Sequence, residues 1–157
     1  MKKITSIILA LLVICSLFSM SACSDNNDTT TTTVKPATMT LVVGTKSPTI
    51  YIVELDGLET DKGIMPILEH LKQTKGLRYT SNYGTYGSYL TKVGDLEQND
   101  ELKSYIYLFT SVEKDRDVTE YSRTVKFEGK QLFSAGVGAS ELTIEDGCII
   151  YIGTVQF

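Results

Sequence analysis

Few side chains in this 157-residue sequence are equipped for covalent or metal chemistry. It holds three cysteines (Cys15, Cys23 and Cys148) and one histidine, His70. That supply argues against a zinc site built from several His and Cys ligands. A nucleophilic thiol or hydroxyl needs a partner base, and His70 stands apart from any Ser or Cys motif. No G-x-S-x-G or H-E-x-x-H segment occurs. Carboxylates gather in three groups: Glu54 to Asp61, Asp95 to Glu101, and Glu113 to Glu120. None has the D-x-[DN]-x-[DN]-G spacing of a calcium loop. Asn99 interrupts the second group, and Lys114 and Arg116 the third. They read as solvated loops, with a metal site on loop carboxylates as the alternative. Gly136-Val137-Gly138 lacks the flanking pattern of a dinucleotide loop and reads as a turn. The expectation is a protein that is not an enzyme, with no catalytic residue, no metal ligand and no obligatory cofactor. With 15 basic against 19 acidic residues the formal charge is −4. Nucleic acid is therefore an unsuitable partner, because releasing phosphate counterions needs a basic face.

The residues suited to holding a ligand are tyrosines. In the segment 104–109, Tyr105, Tyr107 and Phe109 fall on one face of a strand, and Ile106 and Leu108 on the other. The Ile/Leu face belongs in the core. The Tyr face offers apolar plates with polar tips, a platform for a flat ligand or a sugar. The alternative is that these tyrosines make ordinary cross-strand pairs. Tyr86 is a third candidate, because Gly84 and Gly87 beside it let a ligand approach the backbone.

The elements that must position these residues can be read from periodicity. Residues 39–43 and 49–55 are rich in β-branched side chains and predict strands. Between Gly63 and Gly76 the period changes. Ile64, Ile67, Leu68 and Leu71 recur at i, i+3, i+4 and i+7, one face of a helix. Pro66 suits its first turn, Lys72 and Lys75 its C-terminal dipole, and Gly76 its C-cap. Strands are then expected at 77–83, 86–93, 104–109, 124–127 and 131–133, with Glu128-Gly129-Lys130 as a hairpin turn. Strands at 142–144 and 148–157 flank the turn Glu145-Asp146-Gly147. One helix followed by many strands predicts an α+β fold, with the helix covering one face of a mixed sheet. Cys148, in an apolar run, is expected to be a small core residue.

The first 37 residues read differently. Lys2 and Lys3 precede an almost wholly apolar run from Ile4 to Met20, then Ser21, Ala22 and Cys23. This is the three-part plan of a secretory signal. Its ending, Met20-Ser21-Ala22-Cys23, resembles the lipobox of bacterial lipoproteins, with Met where Leu is usual. The resemblance implies cleavage after residue 22 and a lipid on Cys23. Residues 23–37, including the five-Thr run, then form a polar tether. On this reading Cys15 is lost and Cys148 is left without an intramolecular disulfide partner. Removing Lys2 and Lys3 leaves 13 basic and 19 acidic residues, a net charge of −6. Such a chain is held at an anionic membrane by lipid rather than by charge.

Residues 38–157 resemble the transcobalamin C-terminal-like family of β-grasp domains. Three stretches carry the resemblance: Tyr86 to Leu96, Ser104 to Phe109, and Gly136 to Ile152. The resemblance implies a small β-grasp module of the kind that closes over a corrinoid in animal cobalamin carriers. No counterpart of the carriers' helical-barrel domain is expected within residues 1–157. Ile106 stands in place of the family's strand Trp, the 112–130 segment is longer and charged, and Gly94-Asp95-Leu96 has one residue more between Gly and Leu. The expected protein is a monomer, extracytoplasmic and lipid-anchored to a bacterial cell membrane. It would bind a small ligand such as a cobalamin, another corrinoid or a similar planar nutrient, beside an uptake transporter. The other classes are a surface adhesion module using 112–130 and a metal binder.

Overall fold

The computed structural model describes residues 35–157. Cys23, the apolar run before it and most of the tether lie outside the described residues. Strand β1 (Thr38–Val43) pairs antiparallel with β2 (Thr49–Glu54) through the turn at Gly44–Pro48. A short 3-10 turn leads into α1 (Met65–Lys75). Then come β3 (Tyr79–Gly84), β4 (Gly87–Val93), the two-residue β5 (Leu96–Glu97), β6 (Ser104–Thr110), β7 (Thr124–Phe127), β8 (Lys130–Ser134) and β9 (Ile149–Gln156).

These strands form two sheets. The larger has the order β2-β1-β9-β6-β8-β7, and the smaller is β3-β4-β5. The closing strand β9 enters the middle of the larger sheet, parallel to β1 and antiparallel to β6. Ile150, Tyr151 and Ile152 pair with β1 on one side and β6 on the other, and Ile149 to Gly153 are all buried, without the alternation of an exposed strand. The sheet is therefore mixed, and the protein is α+β with its one described α-helix on one sheet face.

The helix forms for the reason its spacing suggested. Ile64, Ile67, Leu68 and Leu71 are all buried, each contributing roughly 1.5–3 kcal/mol of apolar burial. Pro66 occupies the first turn, and Gly76 ends the helix in the left-handed region at φ 71°, its N–H donating to Leu71 O. The helix packs on Met39, Leu41 and Val43 of β1, Ile150 and Ile152 of β9, and Leu90 and Val93 of the small sheet. Cys148 lies in this core and is a free thiol whose burial pushes its pKa up.

The opposite face of the larger sheet holds a second apolar cluster of Val42, Phe109, Phe127, Leu132, Ile149 and Tyr151. Alternation along β6 divides the two: Ile106 and Leu108 pack towards the helix, while Phe109 and Tyr107 pack away from it.

Two expectations are corrected. Residues 142–144 are not a strand; Leu142 and Ile144 are buried anchors of an irregular segment. That segment is held by Asp115, whose carboxylate accepts hydrogen bonds from the Thr143 N–H and hydroxyl. Asp115 therefore departs from the solvated-loop reading of its acidic group: it is 6% exposed. A short run of sequence hides such a residue, because its partner lies 28 positions away.

Candidate functional site

The Gly136–Ser140 loop ties three elements together. Gly138 N–H donates to Tyr86 O, and Ala139 N–H donates to Ser88 O. Ser88 N–H donates to the Ser140 hydroxyl, and Ile64 N–H, just before α1, donates to Ala139 O. The β3–β4 hairpin tip and the start of the helix are thereby pinned to one backbone segment. Two stretches that carried the sequence resemblance thus meet in space.

This arrangement holds the small sheet beside the end of the helix and leaves a band of clefts along it. The first cleft, about 380 Å³, lies between the β1–β2 turn, the end of α1 and the β4–β5 turn. Val43, Leu77 and Leu96 give it an apolar lining, and Thr45, Ser47 and Thr49 bring hydroxyls from one side. Lys75 and Arg78 face it from the other, with Asp95 at the β4–β5 turn. Among the described residues no carboxylate pairs with Lys75 or Arg78. A second cleft of about 480 Å³ continues it, sharing Arg78, Gly94 and Asp95 and adding Lys72, Tyr79 and Glu97.

The charges around the second cleft are mostly committed to partners. Lys72 Nζ is 3.1 Å from Glu69, and Lys92 Nζ is 2.8 Å from Glu97. Hydrogen bonds from Gln73 and then Lys72 hold the Glu69 carboxyl below its ordinary range. Tyr79 donates to Glu69 at 3.2 Å; burial first, and then the Glu69 contact, push its phenol up. Tyr79 is thus a fixed neutral wall. The cations left to meet a ligand are Lys75 and Arg78, in a cleft whose open surface is more polar than apolar, with Val43, Leu77 and Leu96 as a small apolar part of it.

A third trough of about 470 Å³ runs on over the outer face of the small sheet. It shares Thr80, Lys92 and Glu97 with the second cleft and ends at Tyr89 and Asn82.

The tyrosines singled out from sequence fall in two places. Tyr86 sits at the tip of the β3–β4 hairpin, 78% exposed, with its backbone carbonyl taken by Gly138. Tyr105 and Tyr107 lie on the far face of the larger sheet. Their ring centroids are 6.1 and 6.0 Å from that of Phe157, and Tyr107 is 6.2 Å from Phe109. The structure does not bring Tyr86 together with Tyr105 and Tyr107. The aromatic strand makes the cross-strand and neighbour pairs of a self-packed face, whereas the clefts are lined by other residues. None of Lys75, Arg78, Tyr89 and Asp95 was singled out as a ligand-binding residue, although Tyr89 and Asp95 lie in the Tyr86–Leu96 stretch that carries the family resemblance. The available signal was the position of Lys75 and Arg78 beside the helix C-cap Gly76 and of Asp95 beside Gly94. His70 is exposed on α1. Among the described residues no group of three His, Cys, Asp or Glu is arranged to hold a metal ion. Likewise, no described helix is long and apolar enough to cross a membrane.

Comparison with known proteins places the fold. No protein-family model and no curated protein sequence matches the chain. Among solved structures, the chain is similar to haptocorrin in complex with Cbi, with a TM-score of 0.53 and 12% identity over 78% of this chain. The match takes in 26% of the haptocorrin chain, so this protein corresponds to about a quarter of it. A Ruminococcus gnavus ATCC 29149 protein, provisionally described as metal-binding, aligns over 77% of this chain and 98% of its own. Its TM-score is 0.49, with 13% identity. The haptocorrin likeness is one of fold, and it agrees with the transcobalamin-like architecture expected from the sequence.

Proposed function

We propose that this domain is a non-catalytic ligand-binding module, tethered outside the cytoplasm by a lipid on Cys23. It holds a small, polar-rimmed planar molecule in the two joined clefts between the β1–β2 turn, the end of α1 and the β4–β5 turn. The observation that carries this reading is the cleft's make-up. A small apolar part formed by Val43, Leu77 and Leu96 is faced by three hydroxyls on one side and by unpaired Lys75 and Arg78 on the other. Binding, rather than catalysis, is favoured because the one histidine is exposed on the helix and the one described cysteine is buried in the core. A corrinoid fits the chemistry in outline, since a broad flat ring with amide arms needs a partly apolar bed and hydrogen-bonding rims. The fold shared with a haptocorrin solved in complex with Cbi supports trying that class first.

Titration of the purified protein with cobinamide and with cobalamin, followed by absorbance and calorimetry, is expected to give saturable binding. Arg78→Ala should weaken it about tenfold, the loss of one charge-assisted hydrogen bond of roughly 1.5 kcal/mol. Absence of heat and of spectral change at high micromolar ligand would remove corrinoids from consideration.

The anchor is tested separately. Expressed in a bacterium that lipidates such signals, the protein should partition with membranes and incorporate labelled fatty acid. Cys23→Ala should shift it to the soluble or uncleaved fraction without label. Labelled Cys23→Ala would refute the assignment.

A further inference from the structure

We infer that the outer face of the β3–β4–β5 sheet is a carbohydrate-binding platform centred on Tyr89. This goes beyond the cleft proposed above, which it touches only at Thr80, Lys92 and Glu97. Four features build it.

The first is an exposed aromatic plate with a backbone seat. Tyr89 is 47% exposed, and its ring lies against Gly84 on the neighbouring strand. Two of its ring carbons lie 3.4 Å from where a Cβ at position 84 would stand, an ordinary contact distance, so the ring rests along the strand beside Gly84. Large side chains left half in water, with no core to fill, ask for an explanation that scattered surface apolars do not.

The second is a β-bulge. The β3–β4 register pairs Ser81 with Leu90 but Thr80 with Lys92, leaving Thr91 as the extra residue. Successive strand residues normally point to opposite faces, and a bulge breaks that rule. Here it lets both Thr91 and Lys92 line the trough with Tyr89, while Leu90 and Val93 remain buried on the other side.

The third is a set of planar hydrogen-bonding side chains around the plate. Asn82 stands directly opposite Tyr89 in the ladder. Gln98 is held by its own N–H to Thr91 O at 2.9 Å, and its side-chain amide donates to Asp100 at 2.8 Å. That orientation leaves the Gln98 carbonyl oxygen as an acceptor.

The fourth is charge. Lys92 is neutralised by Glu97 at 2.8 Å, and Asp100 adds a second carboxylate. The trough therefore repels phosphate-bearing ligands and suits neutral, hydroxyl-rich ones. A pyranose ring presents an apolar C–H face that stacks on an aromatic plate, and equatorial hydroxyls that reach planar amides and carboxylates beside it. The trough is a sheet surface, not a closed cavity, so a stretch of a polysaccharide chain fits it better than a sequestered monosaccharide.

The test is electrophoresis of the purified full-length chain, in mild detergent, through native gels containing mannan, xylan, hydroxyethylcellulose or glycogen. Retardation is expected in at least one gel. Tyr89→Ala should reduce the affinity at least tenfold with an unchanged melting temperature, because the ring is half in solvent. Tyr89→Phe, which keeps the plate, should retain binding. No retardation in any of the four gels, or undiminished retardation of Tyr89→Ala, would overturn the assignment. The two readings fail separately. Arg78→Ala should leave polysaccharide retardation intact, and Tyr89→Ala should leave cobinamide titration intact.

Discussion

Replacing Asp115 by alanine should destabilise the domain by roughly 2–4 kcal/mol, a fall in melting temperature on the order of 10 °C. The carboxylate is 6% exposed and accepts from both the Thr143 N–H and the Thr143 hydroxyl. Truncation leaves a backbone N–H and a hydroxyl without their acceptor in a partly buried setting, and each such loss costs about 1–3 kcal/mol. The backbone of Asp115 also matters, since its carbonyl accepts from Gly136 N–H at 2.8 Å. The substitution thus loosens the join between the segment after β6 and the glycine-rich loop. Asp115→Asn is expected to recover most of the loss: its oxygen can accept from the Thr143 amide while its NH₂ donates to the hydroxyl. Chemical denaturation of both variants decides the matter. A loss below about 0.5 kcal/mol for Asp115→Ala, the range of an ordinary surface change, would show that the staple contributes little.

Gly138→Ala should be comparably damaging, at roughly 2–4 kcal/mol, for a steric rather than a polar reason. A methyl group at this position is driven into Tyr86 O and lies 2.9 Å from Ser88 O and 3.1 Å from the Gly87 carbonyl carbon. All three are backbone atoms, so no flexible side chain can swing aside. Either the loop or the hairpin tip must retreat, and the bonds from Gly138 to Tyr86 (2.8 Å) and from Ala139 to Ser88 (2.6 Å) lengthen with it. Gly136→Ala, two residues earlier, is the control. Its nearest contact would be 3.4 Å, so little should change. Thermal melts of the pair should differ by several degrees. Because the same bonds hold the hairpin that carries Tyr86 and Tyr89, Gly138→Ala should also weaken retention by polysaccharide even where it remains folded. Equal melts for the two variants would mean that the hairpin tip is not docked as described.

Both residues show why part of this protein was legible in its sequence and part was not. The helix was legible because its signal is local: four apolar residues at helical spacing, Pro66 at the start and Gly76 at the end all lie within one short window. The β1, β2 and β6 strands and the Glu128–Gly129 hairpin turn were legible for the same reason. The two-residue β5 was missed because Leu96 and Glu97 are too few to show a period. Leu142 to Ile144 was misread as a strand because buried alternation satisfies the strand pattern, although here a side-chain carboxylate takes the place of a neighbouring strand.

The candidate sites divide along the same line. Tyr105 and Tyr107 were attractive because alternation in one strand puts them on one face, and that much the structure repeats. Whether such a face is open to a ligand depends on what else lies against it, and Phe157, from the far end of the chain, packs beside both rings. Tyr89, although inside the Tyr86–Leu96 stretch, was not singled out as a ligand-binding residue because its surroundings come from three strands and a register slip. A bulge depends on the hydrogen-bond pairing of two strands, and no residue type in the Thr80–Lys92 stretch announces it.

By itself, then, the sequence determined the α+β class, the helix and its buried stripe, most strand positions, and the core role of Cys148. These follow from short-range periodicity, which the solvent enforces residue by residue. Tertiary structure alone decided the division into two sheets, the insertion of β9 between β1 and β6, the burial of Asp115, and the separation of Tyr86 from Tyr105 and Tyr107. It also decided which face of the small sheet gathers Tyr89, Asn82 and Gln98. Those depend on partners tens of positions apart, and a contact between distant residues leaves no periodic trace in either segment that makes it.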